Sequence, residues 1–173
     1  MELHAALKEW SDFYVLVGTA GATLLALLFV AVSLGAGFLS EAQKAATRTF
    51  MSPVVIHFTS AFFVSAISLA PLDPALFAAL LVATAVIGGM VSIITTVQVW
   101  RTNLTSYWED YCAYGLLPLL GYLVLLATAA TIYLKMPVSL DLLAAAPLLL
   151  IIVNIRNVWD LTLTMVRRHK SSG

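Results

Sequence analysis

The last long apolar segment of the chain, residues 142–166, contains Asn154, Arg156, Asn157 and Asp160. An ionisable side chain at membrane depth costs at least about 2.5 to 3.5 kcal/mol on insertion scales, so its retention indicates a functional site or a structural lock. Two kinds of chemistry fit these groups. They could bind an ion or a polar solute in a hydrated vestibule, or they could hydrogen-bond to neighbouring helices and fix the fold.

The depth of Arg156 follows from the length of the apolar run that precedes it. This run, residues 142–153, is about 18 Å long at 1.5 Å per residue, which is too short to cross a hydrocarbon core of about 30 Å. Residues up to about 161 must therefore be embedded, and Arg156 lies roughly 7 to 8 Å inside the boundary, where its long side chain can snorkel. Asp160 follows four residues later, so the spacing also allows an ion pair between Arg156 and Asp160.

Three further polar side chains are predicted at the same side of the membrane. His57 lies about one turn inside the second apolar segment, and Gln98 and Arg101 end the third. The predicted polar cluster is therefore His57, Gln98, Arg101, Asn154, Arg156, Asn157 and Asp160. The sequence predicts no cofactor or metal site, because the histidines fall in separate regions without ligand spacing.

The elements that position these residues are membrane-spanning helices. Of the 173 residues, 61% are hydrophobic and only 10% are charged, whereas a soluble domain carries roughly 25% charged residues. The formal net charge is zero, which gives no indication of nucleic-acid binding. We therefore expect an integral protein of a cell membrane, either a plasma membrane or a bacterial inner membrane.

Five apolar segments are long enough to cross a bilayer as helices. They span roughly residues 14–38, 54–72, 75–100, 113–134 and 141–166. Alternation of apolar and polar residues, as in a β-barrel, is absent, and the connections are short. The prediction is an all-α fold: one polytopic domain, a bundle of five transmembrane helices that covers the whole chain.

Two shorter segments flank these spans. Residues 1–13 carry apolar side chains at helical spacing, which fits either an interfacial helix or an extension of the first span. Residues 39–53 form a linker that contains a capping-box pattern at Ser40 and Gln43 and ends at Pro53. This pattern is compatible with a short helix on the membrane surface.

The orientation follows from basic residues, which are retained on the cytoplasmic side. The side of the amino terminus carries two, Lys8 and Lys135, and the opposite side carries six: Lys44, Arg48, Arg101, Arg167, Arg168 and Lys170. We therefore expect the amino terminus outside and the carboxyl terminus in the cytoplasm.

Small and weakly polar residues form stripes on two predicted helices. The second span places His57, Ser60, Ala61, Ser65 and Ser68 on one face and Phe58, Phe62 and Leu69 on the other, as expected for a helix that lies between the bundle interior and lipid. The third span has a stripe of Thr84, Gly88, Ser92, Thr95, Val99 and Thr102. Such stripes are typical of close helix packing and also fit a pore lining.

Three hypotheses about function follow. The first is a homo-oligomeric channel or permeation protein for an ion or small solute, with the polar cluster at its cytoplasmic side. The second is a non-transporting membrane scaffold or regulatory subunit, in which the cluster stabilises the fold. A membrane-embedded enzyme ranks third, because no nucleophile and base or metal set is recognisable; we expect no enzyme. The expected partners are the lipid bilayer and a second copy of the chain.

Overall fold

The computed structural model describes residues 3–35, 41–102, 112–137 and 140–171, and side chains in 3–33, 52–101, 112–137 and 140–159. These residues form six α-helices and one turn of π-helix. The helices are α1 (Leu3–Glu9), α2 (Ser11–Gly35), α3 (Glu41–Leu69), α4 (Pro74–Thr102), α5 (Leu117–Tyr133) and α6 (Leu140–Ser171), and the π-turn is Cys112–Leu116. The all-α prediction is confirmed.

Five of the helices are long and apolar enough to cross a membrane, which indicates a multi-pass membrane protein. The qualifying segments are Ser11–Ser33, Ser52–Leu69, Pro74–Arg101, Cys112–Tyr133 and Leu140–Trp159, with mean hydropathies of 1.6 to 2.4. The fourth of these segments combines the π-turn with α5. Each begins within three residues of a span predicted from the sequence, whereas the first and fifth segments end five and seven residues before the predicted ends, 38 and 166.

Helices α3, α4, α5 and α6 form a closed ring in which each helix packs against two neighbours. Helix α4 packs on α3 and α5, and α6 packs on α5 and α3, so that α3 and α5 face each other across the interior. Helix α2 lies outside this ring, against α3 and the edge of α6. The ring therefore provides an interior that four helices share.

Local sequence explains where α4 begins and where α5 ends. Before α4, Asp73 Oδ2 accepts hydrogen bonds from the amides of Ala75 (2.9 Å) and Leu76 (3.4 Å), which caps the helix ahead of Pro74 in its first turn. After α5, Lys135 has a φ of 53°, and the amide of Met136 donates to the carbonyl of Thr131 at 2.9 Å. This left-handed residue and its returning hydrogen bond terminate the helix.

Residues 41–53 differ from the expected linker. The sequence places a boundary at Pro53, whereas helix α3 runs without a break from Glu41 to Leu69 and contains Pro53. A proline inside a helix removes one backbone hydrogen bond but still permits the helix to continue when neighbouring helices pack against it. The second apolar segment is therefore the later part of a longer helix.

The amino-terminal segment forms a helix of its own. Helix α1 ends at Glu9, and the amide of Trp10 donates to the carbonyl of Leu7 at 3.0 Å before α2 begins at Ser11. Leu7 belongs to the hydrophobic core, and α1 packs on α2 and α3. Residues 3–9 are thus separate from the first span.

More of the surface of α3 is buried than its stripe of small, weakly polar residues predicts. Its small face is buried as expected, but Phe58, expected on the lipid side, is only 1% exposed. The reason is α2: a Cβ on Gly21 would lie 3.3 Å from the carbonyl oxygen of Phe58, so the two backbones approach closely there. With α2, α4 and α6 around it, α3 leaves only a narrow strip uncovered.

Candidate functional site in the bundle interior

A chain of hydrogen bonds crosses the interior of the ring from α5 to α3. The Tyr122 hydroxyl lies 2.7 Å from His57 Nδ1 and 3.1 Å from Ser60 Oγ. Ser60 Oγ in turn donates to the carbonyl of Ile56 at 2.8 Å. His57 and Tyr122 are each 1% exposed, so these polar groups are fully enclosed.

The direction of these hydrogen bonds sets the tautomer of His57. A carbonyl oxygen only accepts, so Ser60 uses its proton on Ile56 and accepts the proton of the Tyr122 hydroxyl. The Tyr122 oxygen then accepts from His57, so Nδ1 carries the proton. Nε2 of the neutral ring is left as an acceptor.

Gly88 on α4 makes room for the Tyr122 ring. A Cβ built on Gly88 would overlap the aromatic ring of Tyr122. One turn along, Ser92 donates to the carbonyl of Gly88 at 3.0 Å and is fully buried. The side chain of Tyr122 can therefore reach His57 only because residue 88 carries no side chain.

A second group of hydrogen bonds joins α6 to the π-turn. Asn157 Nδ2 donates to the carbonyl of Ala113 at 3.0 Å, and the Tyr114 hydroxyl donates to the carbonyl of Asn157 at 3.2 Å. The wider turn precedes Pro118, which has no amide hydrogen to continue a regular α-helix. The π-turn is thus fixed to α6 from both sides.

Asn154 lies in the same interior but bonds to its own helix. Its Nδ2 donates to the carbonyl of Leu150 at 2.6 Å, and the residue is completely buried. The two asparagines therefore differ: Asn157 connects separate segments, whereas Asn154 Nδ2 makes no such connection.

Within the part of the chain that the structure describes, four buried polar atoms have no hydrogen-bond partner: the hydroxyl oxygen of Tyr14 on α2, and His57 Nε2, Asn154 Oδ1 and Asn157 Oδ1. We call the last three, which belong to helices of the ring, the buried acceptors. Leaving such an atom unpaired in a dry interior costs about 1 to 3 kcal/mol. Hydroxyl groups on α3 and α4 are satisfied differently, because Ser65, Thr84, Thr95 and other residues donate to the carbonyl four residues earlier.

The structure divides the polar cluster of the sequence analysis into two sets. His57, Asn154 and Asn157 are buried, whereas Gln98, Arg101 and Arg156 are exposed on the outside of the helices. Gln98 lines a groove between α3 and α4 with Ser52 and Thr95. Asp160 belongs to α6, but its side chain is not among those described, so the Arg156–Asp160 pair stays a prediction.

Three residues of the interior escaped the sequence analysis: Tyr122, Ser60 as a hydrogen-bond partner, and Tyr114. The position of Tyr122 is a signal in the sequence, since a tyrosine near the centre of a span lies away from the interfacial belts where this residue is enriched. The sequence gives no sign that Tyr122 bonds to His57, because His57 lies 65 residues earlier in the chain.

The acidic side chains, lysines and arginines that the structure describes stay away from this interior. Every Asp, Glu, Lys and Arg whose side chain the structure describes is exposed. Among the same residues, no group of three His, Cys, Asp or Glu side chains gathers into a metal site. The described interior is therefore polar without formal charge when His57 is neutral.

Comparisons of the chain with protein-family models, with curated proteins and with solved structures found no match.

Proposed function

We propose that this chain is a membrane permeation protein that passes a small solute or ion through the polar interior of the α3–α6 ring. The observation that supports the proposal is the set of buried acceptors, His57 Nε2, Asn154 Oδ1 and Asn157 Oδ1. Polar atoms inside transmembrane bundles are costly when unpaired, and they commonly mark substrate pathways. A passing molecule with N–H or O–H groups would supply the missing donors.

The proposal includes the orientation and the assembly expected from the sequence. The distribution of basic residues favours the amino terminus outside and the carboxyl terminus in the cytoplasm of a cell with a plasma or bacterial inner membrane. Exposed polar side chains such as Gln98 and Arg156 lie on outer surfaces of the helices, where contact with a second copy would shield them from lipid. The assembled protein is therefore a homo-oligomer.

Purified protein in lipid vesicles tests the proposal. Osmotic shrinkage would measure water, glycerol and urea, and fluorescent indicators would measure Na⁺, K⁺ and H⁺. We expect protein-dependent flux of at least one of these species and a several-fold decrease for Asn154→Leu, which removes a buried acceptor. Ser65→Ala is the matched control, because Ser65 is buried on the same ring and donates only to its own helix.

One further observation favours a second function, that of a scaffold without transport. Tyr114 and Asn157 bond reciprocally between the π-turn and α6, as polar groups that only stabilise a fold would do. Under this alternative the folded, oligomeric protein is silent to all the species above, and Asn154→Leu changes no flux. That result would overturn the permeation proposal.

A further inference from the structure

We propose that His57 Nε2 and Asn154 Oδ1 together form a binding site for an uncharged hydrogen-bond donor of about the size of water. The inference deepens the proposed function and rests on it, because it names the class of molecule that the interior accepts. It does not include Asn157, which lies nearer the π-turn.

Contacts through α5 connect the two residues. Tyr122, the partner of His57, follows Gly121, and a Cβ on Gly121 would lie 3.2 Å from the Leu150 side chain. Asn154 donates to the carbonyl of that same leucine, one helical turn earlier in α6. A continuous series of contacts across α3, α5 and α6 therefore leads from His57 to Asn154.

The hydrogen bonds already made determine what the site can bind. Nδ1 of His57 donates to Tyr122, so Nε2 offers a lone pair, and Nδ2 of Asn154 is used on Leu150, so Oδ1 offers the acceptor. Both residues are at most 1% exposed. Asn154 Nδ2 uses one of its two hydrogens on Leu150, and the two acceptors together require a ligand with at least two N–H or O–H groups.

The charge of the surroundings excludes an ion as the preferred ligand. The hydrogen-bond partners of the two residues are Tyr122 for His57, with Ser60 beyond it, and the Leu150 carbonyl for Asn154, none of them charged at neutral pH. Every described Asp, Glu, Lys and Arg side chain is exposed. A buried cation without a counter-charge pays a large desolvation cost, which an uncharged donor avoids.

Two substitutions of His57 separate binding from fold stability. In His57→Asn the side-chain amide can take the place of Nδ1, so the hydrogen bond to Tyr122 is kept while the acceptor at the Nε2 position is lost. In His57→Gln the longer side chain carries an acceptor to the Nε2 position while the bond to Tyr122 is lost. A site at Nε2 and a purely structural role of His57 therefore predict opposite rankings.

The probe is water itself, observed by solid-state NMR of isotope-labelled protein in bilayers. A His4→Gln, His169→Gln background leaves one histidine signal. We expect a protonated Nδ1, an Nε2 that accepts a hydrogen bond, and magnetisation transfer from water to the ring and to the Asn154 amide. Transfer to Asn154 should persist in His57→Gln and in the control Ser65→Ala, and should fall about tenfold in His57→Asn, as for the loss of one hydrogen bond.

Two outcomes would overturn the inference: a ring that receives no magnetisation from water, or transfer to Asn154 that His57→Asn leaves at the original level. Vesicle flux is read separately. If vesicles show flux but His57 receives no magnetisation from water, this site is wrong and the proposed function stands. If water reaches His57 and Asn154 but the protein transports none of the tested solutes, the site stands and the permeation function is wrong.

Discussion

The hydroxyl of Tyr122 lies 2.7 Å from Nδ1 of His57, across the interior of the ring from α5 to α3. Helices α3 and α5 are not neighbours in the ring, so this hydrogen bond joins opposite walls of the bundle.

Tyr122→Phe should lower the free energy of unfolding by about 1 to 3 kcal/mol, because it leaves the buried Nδ1–H of His57 without an acceptor. Unfolding of the purified protein in mixed detergent micelles by increasing SDS measures the change. Tyr133→Phe is the control, since Tyr133 is 82% exposed and its hydroxyl should contribute less than about 0.5 kcal/mol. Equal losses in the two variants would contradict the prediction.

Gly88→Ala should destabilise the protein by about 3 kcal/mol, because the new methyl group overlaps the Tyr122 ring and must displace it. The adjacent Gly89→Ala is a closely matched control: its Cβ would have ordinary contacts of 3.8 Å with Tyr122 and 3.9 Å with Leu119. Alanine also forms helices better than glycine, so Gly89→Ala should be neutral or stabilising. Thermal unfolding in detergent would compare them, and similar melting temperatures would count against the close packing of Gly88.

Asn157→Leu and Asn154→Leu should differ in their effect on stability, although both replace a buried asparagine by leucine. Asn157→Leu breaks a hydrogen bond between α6 and the π-turn and should cost about 1 to 2 kcal/mol. Asn154→Leu breaks no hydrogen bond between separate segments of the protein and should be neutral or stabilising. SDS unfolding measures both. A greater loss for Asn154→Leu would show that its side chain, and not that of Asn157, holds helices together.

The proposed orientation can be tested with single cysteines at Ser11 and Ser172 in a Cys112→Ser background. A membrane-impermeant thiol reagent added to intact cells should label residue 11 and reach residue 172 only after the membrane is permeabilised. The expectation rests on the two and six basic residues of the opposite sides. Labelling of residue 172 from outside would reverse the topology.

Hydropathy was sufficient to predict the helices but not their neighbours. Segments such as residues 117–133 are apolar all round, so the sequence does not indicate which face meets which helix. The ring of α3–α6 and the position of α2 outside it are therefore seen only in the structure. Phe58 illustrates the limit: its side of α3 looks lipid-facing until Gly21 brings the backbone of α2 against it.

Part of the candidate site is recognisable in the sequence. Asn154 and Asn157 stand out as polar residues in an apolar segment, and the structure buries both. Depth alone placed Gln98, Arg101 and Arg156 with them, but depth says nothing about which way a side chain points around its helix. Their exposed positions follow from the helix rotation that packing sets.

The close packing of the Tyr122 ring on Gly88 also limits which substitutions homologues of this protein can carry at these positions. A relative with a side chain at position 88 has no space for a tyrosine at 122, and a smaller residue at 122 removes the partner of His57. The residues at positions 88, 122 and 57 should therefore co-vary among homologues, although they lie on three different helices, α4, α5 and α3. An alignment of homologues in which these three positions vary independently would show that other members fill the same space in a different way.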